Sequence, residues 1–552
     1  MLLRRNRSCA VVPILAAIII GLLSWSTLAC TTIMVSQGAS SDGFTSCSHA
    51  NDCGSCSFQI EKIPAKDWAP GTMMEILHMP QYTDGYQRME VHGEPTGRQI
   101  PQVPHTYGYV LGHFGYINEE AVGIGETTFG GRGGSSNANG WFEATNLTFL
   151  AMERAKTARE AIQVMGDLAV KYGYFDSGEQ LSVADPDEVW MFEVVGPGPL
   201  WEQGDKEPGA YWVAQRVPEG HIAVAANCSV IDQIDWNDHD NFIYSSGIVD
   251  FATEKGWYDP SSNKPFSWRN DFCNAAPSYQ TCQRRIWRVF TRVAPSLAAT
   301  FDERNLPFSV PVDKQVSMSD IFALNRDHYE GTEFYMGDSI TAGPWNNPRR
   351  YRGTLKFEGK SYDWQRTISV INCEHVCITQ IRSGLPKEIA PVLWYGAGSA
   401  STTCFVPFYA SVSNIAPTMN TKSGSHWDFT RDSYWWAVQS VNVIADLRWS
   451  LMIKDIEKMQ DGYEGYAVRT QPAIDAAALE LYKTDPKLAV EFLTNYCNRN
   501  VETVRDAWWS LLDQLIAKYH MGYIYDGGKV KKPVYSEEWV KLIRNGQDVR
   551  AK

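Results

Sequence analysis

Cys30 is the residue best placed to do chemistry in this sequence, because of what lies on either side of it. Before it comes a segment with the features of a secretion signal, which should be cut between Ala29 and Cys30. After it comes the short β-like run 31–35. Cleavage would leave a thiol and a free α-amine on one residue. A thiol nucleophile in contact with an amine base is suited to amide hydrolysis.

The N-terminal segment 1–29 is interpreted as a cleaved signal peptide. It has arginines within its first seven residues, an apolar stretch over about 10–25, and small residues, Thr27 and Ala29, at the −3 and −1 positions. An uncleaved anchor is one alternative, but the stretch is short of the ~20 residues that span a bilayer. A lipoprotein acylated on Cys30 is the other, although Leu28 sits one place too close to the cysteine. Lipidation would abolish the catalytic interpretation, and cleavage predicts export to the periplasm or the extracellular space.

The charge of the chain excludes some partners. The net charge of the 552 residues is −13, and removing 1–29 moves it to about −16. An acidic protein has no electrostatic affinity for nucleic acid or for an anionic membrane surface. We therefore expect no nucleic acid and no membrane after signal cleavage, with a homo-oligomer possible.

Ten cysteines remain beside Cys30 and the signal's Cys9, an even number compatible with disulfides in an exported protein. The local pairs that the spacing favours are Cys53–Cys56, Cys273–Cys282 and Cys373–Cys377. The first of these could also be a redox or zinc motif. No second paired cluster at ligand spacing accompanies it, so the sequence predicts no metal and no cofactor.

Hydrophobic patterning predicts an α+β protein. An opening hairpin is expected over 31–48, with an Asp-Gly turn signal at 42–43. A helical region follows at 145–174, in which Thr157 begins a capping-box pattern and so a second helix. Further strands are predicted at 107–116, 121–128, 180–183, 189–195, 211–216 and 222–226, with helices at 283–293 and from about 433 onward. Blocks of strands with blocks of helices favour α+β layers over strict βαβ alternation.

Nearly the whole chain after residue 29 resembles the cysteine dipeptidases of the N-terminal nucleophile superfamily, the group that also contains the secernins. The segments that carry the resemblance are 30–33, 39–43, 117–119, 122–128, 153–161, 326–333, 342–344 and 435–436. The resemblance implies a four-layer αββα fold over 30–425, with a mostly helical C-terminal part over 426–552 packed on it. It also implies a small peptide as the substrate, with hydrolysis of dipeptides without a metal.

The resemblance assigns roles to individual residues. Cys30 would attack the scissile carbonyl while its own α-amine takes the thiol proton, directly or through a water. The pKa of an α-amine is ordinarily about 7.7–8.0, so slight desolvation suffices for a neutral base. Asp52 would orient that amine. His49 is a departure, because many relatives carry an arginine there, and a histidine is charged only below about pH 6.5.

Four more residues complete the predicted site. Asn227 resembles the asparagine whose side-chain amide helps to bind the oxyanion, a contribution of ~3–4 kcal/mol in other hydrolases. Arg285 matches the position of an active-site arginine. Thr127 and Thr128 are candidates for substrate contact.

Other functions stay open at this point. A related amidase of the bile-salt hydrolase and penicillin acylase type would share the nucleophile but need an apolar acyl pocket. A papain-like protease needs a cysteine that opens a helix, whereas Cys30 opens a strand. A non-catalytic, peptide-binding surface lipoprotein is favoured if Cys30 is acylated or if Asp52 lies far from the α-amine. The preferred dipeptide is not encoded in any recognisable pattern.

Overall fold

A computed structural model describes residues 30–54, 56–78, 94–273, 281–349, 354–363, 365–420 and 423–545. The predicted signal peptide, 1–29, lies outside these ranges. The strands are β1 Thr32–Val35, β2 Phe44–Asn51, β3 Glu61–Ile63, β4 Lys66–Asp67, β5 Met73–His78, β6 Glu94–Pro101, β7 His105–Thr106, β8 Tyr109–Leu111, β9 Gly115–Asn118, β10 Gly123–Thr127, β11 Gly178–Ala184, β12 Val189–Val195, β13 Tyr211–Arg216, β14 His221–Ala225, β15 Phe242–Tyr244, β16 Ser309–Pro311, β17 Thr354–Phe357, β18 Lys360–Asp363, β19 His375–Arg382, β20 Pro391–Ala397, β21 Val406–Tyr409, β22 Ile524–Asp526 and β23 Lys529–Lys531. The helices are α1 Ala144–Arg154, α2 Ala158–Tyr172, α3 Ile248–Glu254, α4 Trp268–Asp271, α5 Gln283–Val293, α6 Met318–Asn325, α7 Tyr434–Ala445, α8 Trp449–Gln460, α9 Tyr466–Thr484, α10 Pro486–Tyr519 and α11 Glu537–Asn545.

Two antiparallel sheets form the centre of the protein. The first has seven strands in the order β16-β14-β1-β2-β19-β20-β21, and the second has eight in the order β15-β13-β12-β11-β10-β9-β8-β3. In the first sheet β1 lies between β2 and β14, with Met34 opposite Cys47 and Thr32 opposite Ala225. The residue that precedes β1 therefore lies between two neighbouring strand ends.

The sheets pack face to face and carry helices on their outer sides. Strand β2 contacts β10 and β11 across the interface, α1 and α2 lie against the second sheet, and α7 and α10 lie against β20 and β21 of the first. Every residue of β2, β11, β12, β19 and β20 is buried. Such strands are covered on both faces, as a helix–sheet–sheet–helix order requires.

Gly123 and Gly125 permit the close approach of β10 to the first sheet. A β-carbon on Gly125 would lie 2.4 Å from the backbone carbonyl oxygen of Ser48, and one on Gly123 would lie 2.7 Å from the Thr379 side chain. Real β-carbons do not come that close to other heavy atoms, so only glycine fits at Gly125 without moving backbone. These two positions bring the end of β10 next to the start of β1.

The α+β prediction is confirmed, and so are most local elements. Thr157 caps α2 by accepting a hydrogen bond from the backbone N–H of Glu160, as the capping-box pattern predicts. Helix α5 occupies the predicted range 283–293. The C-terminal helices α7 to α10 share one hydrophobic core with the first sheet. The domain bounds at 425 and 426 stay a prediction.

The cysteine pairing differs from the prediction at two places. Cys53–Cys56 forms as expected, but Cys282 pairs with Cys228 rather than with Cys273. Cys373 and Cys377 are both free and buried. Cys377 lies within β19, and four residues of extended chain span roughly 13 Å, more than twice the Cα separation of a disulfide.

Within the described part of the chain, no helix is both long and apolar enough to cross a membrane.

Candidate active site

Cys30 lies at the entry to β1, where the two sheets meet. Its side chain is buried, with 3% exposed, and Thr31 forms an isolated bridge with Ala50 at the end of β2. The Thr32 hydroxyl hydrogen-bonds with that of Thr127 at 2.6 Å, which joins β1 to β10. The thiol is thereby fixed at the junction of three strands.

Arg285 holds the residues around Cys30 together. This fully buried side chain donates all five of its N–H groups. Its acceptors are the carbonyls of Thr281, Cys30 and Ala226, the Thr31 hydroxyl and the Asn227 side-chain carbonyl, at 2.6–2.9 Å. Burial lowers the pKa of the Arg285 guanidinium to about 9, and the positive charge of Arg366 acts in the same direction. Arg285 is therefore a cation at neutral pH that links α5 to β1 and to the end of β14.

Asp52 lies beside Cys30, as the sequence predicts. Its backbone N–H donates to the Cys30 sulfur, and its Oδ2 accepts from Arg366 at 2.5 Å. Oδ1 is buried and has no N–H or O–H donor among the described residues. Burial raises the pKa of the Asp52 carboxyl, whereas Arg366, the Cys373 thiol and Arg285 act in the opposite direction.

The Cys30 thiol is held in its protonated form. Burial raises the pKa of this thiol well above its ordinary value, and the carboxylates of Glu126 and Asp52 raise it further. The hydrogen bond from the Asp52 backbone lowers it to a smaller extent. Because the thiolate is the nucleophile, attack by Cys30 requires a base that removes its proton.

His49 packs between the sheets and contacts Glu126. The ring is 1% exposed, and its Nδ1 lies 2.8 Å from the backbone carbonyl oxygen of Glu126 and 3.5 Å from its carboxylate. Oxygens of both kinds only accept hydrogen bonds, so we place the ring proton on Nδ1 even though the Glu126 N–H also lies 3.2 Å away. In the described structure Nε2 has no hydrogen-bond partner.

Glu126 was not among the predicted site residues, although it directly precedes Thr127 and Thr128. Its carboxylate, the Cys30 sulfur and a His49 ring nitrogen all lie within 4.8 Å of one another. The Thr128 hydroxyl donates to its Oε1 at 2.7 Å.

Asn227 and the two threonines form one wall of the site. Asn227 has a left-handed backbone, with φ of 62°, which asparagine tolerates better than most residues. Its side-chain N–H donates to the Thr128 carbonyl at 2.7 Å while its side-chain oxygen accepts from Arg285. Thr127 is 1% exposed, and its hydroxyl is hydrogen-bonded to that of Thr32. Thr128 is therefore the more accessible of the two threonines.

The loop after Asn227 is anchored by the buried carboxylate of Glu193. It accepts from the Ser229 hydroxyl, the Val230 backbone N–H, the Gln180 amide and the Trp268 indole, at 2.5–2.8 Å. The Cys228–Cys282 disulfide joins the same loop to the start of α5. These contacts fix the position of Asn227 relative to Arg285.

Cys30, His49 and Glu126 could also hold a metal ion in place of a substrate group. A thiolate, an imidazole and a carboxylate are ligands that suit Zn²⁺ and similar divalent ions. The expectation that the enzyme uses no metal stays a prediction.

The peptidase family C69 profile matches residues 29–462. The chain belongs to peptidase family C69. That family comprises cysteine dipeptidases of the N-terminal nucleophile type, so the resemblance seen in the sequence is confirmed and the protein is a cysteine-type dipeptidase.

Named relatives agree with the family. The chain is 25% identical to a "Probable dipeptidase" from Latilactobacillus sakei over 500 residues, which cover 89% of this chain and 95% of the relative. It is 25% identical to a "Probable dipeptidase" from Salmonella dublin over 411 residues, 71% and 83% of the two chains. "Dipeptidase A" from Lactobacillus helveticus is 24% identical over 274 residues, 49% and 51%.

The predicted residues Cys30, His49, Asp52, Asn227 and Arg285 all lie in this one region. Two residues beside them, Arg366 and Glu126, were missed. Arg366 is 314 residues from Asp52 and lies in a loop without a recognisable pattern, so no local signal could have found it. Glu126 lies within the segment 122–128 that carries the resemblance, and it is the one acidic residue in the predicted strand 121–128, which was the available signal.

Proposed function

We propose that the mature protein begins at Cys30 and hydrolyses dipeptides by attack of the Cys30 thiol, with its own α-amine as base. The observation that carries this proposal is the environment of Cys30. The Cys30 carbonyl accepts a hydrogen bond from Arg285, and its sulfur accepts one from the backbone N–H of Asp52. The buried Oδ1 of Asp52, close by, can accept a further hydrogen bond. A liberated α-amine would supply an N–H donor to this oxygen of Asp52.

The α-amine is the base that best fits the described surroundings. Nδ1 of His49 is hydrogen-bonded to the backbone carbonyl of Glu126, and the negative charges of the nearby carboxylates oppose formation of the thiolate. An α-amine on the same residue is in reach of the sulfur wherever the side chain turns, and its ordinary pKa is near neutrality.

The remaining steps follow from the neighbouring donors. Attack on the scissile carbonyl would place negative charge on its oxygen, and the Asn227 side-chain amide, which carries two N–H groups and spends one on Thr128, has a donor to offer. The protonated amine would then pass its proton to the leaving amino group, which leaves an acyl-enzyme thioester on Cys30. Water, deprotonated by the neutral α-amine, would attack that thioester, so that the first amino acid leaves and the Cys30 thiol regains its proton.

Export and the fold type belong to the same proposal. The signal peptide would direct export and its cleavage after Ala29 would create the α-amine, so one segment would explain location and activation together. The helix–sheet–sheet–helix order supports assignment to the N-terminal nucleophile hydrolase fold, in which the nucleophile begins a central strand.

The test is hydrolysis of Ala–Ala by the secreted protein and by matched cysteine variants. We expect Cys30→Ala to lose all activity and Cys497→Ala, which removes a buried thiol in the distant helix α10, to keep it. We also expect N-acetyl-Ala–Ala to resist hydrolysis. Full activity of Cys30→Ala, or equal rates on the free and acetylated peptides, would contradict the proposal.

A further inference from the structure

A carboxylate next to a nucleophilic thiol needs an explanation, because it disfavours the thiolate. Glu126 lies within 4.8 Å of the Cys30 sulfur and is 1% exposed. By itself it makes Cys30 a poorer nucleophile and bears the desolvation cost of a buried charge. A cation bound between Glu126 and the substrate carbonyl would offset both effects.

We propose that Glu126 binds the α-ammonium group of the dipeptide substrate and so selects peptides with a free N-terminus. This inference rests on the proposed function, since it assigns a subsite of the same reaction.

The geometry of a peptide fits this assignment. Standard bond lengths place the α-nitrogen of the first residue about 2.5 Å from the carbonyl carbon that is attacked. A reacting sulfur lies about 3–3.5 Å from that carbon. These distances allow an ammonium beside the carbonyl to lie within hydrogen-bond distance of a carboxylate that is itself within 4.8 Å of the sulfur. If a later bond of a longer peptide were attacked, the N-terminal amino group would lie at least one residue farther from the sulfur and would not reach Glu126.

The roles of the two acidic groups near Cys30 are then distinct. Asp52 lies on the Arg366 side of the sulfur and is assigned to the enzyme's own α-amine, whereas Glu126 lies on the His49 side and is assigned to that of the substrate. An acyl group of the bile-salt or penicillin type carries no cation for Glu126, so this subsite argues against the amidase alternative.

The test is equilibrium binding to mature Cys30→Ala protein, which cannot turn over substrate. The two ligands are Ala–Ala and propionyl-alanine, which has the same shape without the amine. We expect Ala–Ala to bind at least about 10-fold more tightly, the range of one hydrogen bond between charged groups. Adding Glu126→Gln should abolish this difference by weakening only Ala–Ala. Asp187→Asn, the same charge change in the exposed β11–β12 turn, should leave it intact.

Calorimetry in EDTA gives the outcomes that decide the question. The Cys30→Ala background also removes one of the three potential metal ligands, so a preference for the amine cannot come from a bound ion. An unchanged preference in Glu126→Gln, or equal weakening of both ligands, would overturn the assignment. If Glu126→Gln does not fold, Glu126→Asp replaces it, with the preference expected to fall and an unaltered preference counting against the subsite.

The same measurements separate this inference from the proposed function. A wild-type protein that fails to hydrolyse Ala–Ala, while Cys30→Ala binds it in a Glu126-dependent manner, would refute the mechanism and keep the subsite. A protein that hydrolyses Ala–Ala, but whose preference for the free amine does not depend on Glu126, would refute the subsite and keep the proposed function.

Discussion

Replacing Arg285 by methionine should disrupt both folding and catalysis, since this one side chain ties three parts of the site together. Arg285→Met removes five hydrogen bonds, including those that Arg285 donates to the carbonyl oxygens of Cys30, Thr281 and Ala226. It also removes a cation that stabilises the buried Asp52 carboxylate. The methionine side chain fills much of the same volume, so the effect is one of lost polar contacts rather than of a cavity.

The magnitude follows from how completely the guanidinium is buried. A hydrogen bond to a charged group is worth about 1.5–3 kcal/mol, but relaxation and water entry prevent five such values from adding. Breaking a buried charged network by removing one partner costs roughly 3–5 kcal/mol, and we expect a loss of unfolding free energy in that range. A displacement of Cys30 or Asn227 by about 1 Å should lower kcat/KM about 100-fold in the protein that still folds.

Urea denaturation and dipeptide hydrolysis measure the two effects separately. Arg292→Met is the matched control, because Arg292 lies on the same helix, is 37% exposed, and shares its partner Asp327 with Arg288. Its loss should cost less than about 1 kcal/mol and leave kcat/KM unchanged. If Arg285→Met is no less stable and no less active than Arg292→Met, the hydrogen bonds of Arg285 do not hold the site together as we argue.

Two other predictions concern the approach of the sheets and the charge of Asp52. Gly125→Ala would force a β-carbon against the backbone, and we expect it to lower the unfolding free energy by about 1–3 kcal/mol or more. Gly133 has open space around it, so Gly133→Ala should leave the unfolding free energy unchanged. Arg366→Gln removes the cation paired with Asp52 and therefore raises the pKa of that carboxyl, which burial already raises. If activity needs the ionised carboxylate, the acid limb of the pH–kcat/KM profile moves to higher pH in Arg366→Gln and stays in place in Arg366→Lys. A profile that is the same in all three proteins would show that Asp52 does not control that limb.

Local sequence patterns predicted the elements well, because their signals lie within a few residues. Examples are the helix cap at Thr157 and the range of α5, which local backbone and side-chain preferences set in the sequence and which the folded protein keeps. The resemblance to a known family located Cys30 and Asp52, which lie at the two ends of the opening hairpin and so come together once β1 and β2 pair.

Contacts between segments that are distant in the sequence could not be predicted from local patterns. Cys228 and Cys282 are 54 residues apart, and their pairing depends on where α5 docks rather than on spacing. Arg366 reaches Asp52 from a loop that is positioned by the whole fold. Glu126 was visible as an acidic residue in a predicted strand, but its role depends on its distance from the Cys30 sulfur, which only the packing of β10 against β1 sets.

Intact-mass and N-terminal analysis of the secreted protein, before and after iodoacetamide, tests the central claim most directly. The account predicts a chain that begins with a free Cys30, gains one carbamidomethyl group at that residue, and loses hydrolysis of Ala–Ala in proportion to labelling. A chain whose Cys30 is acylated, or that begins elsewhere with Cys30 internal and is nevertheless active, would contradict it.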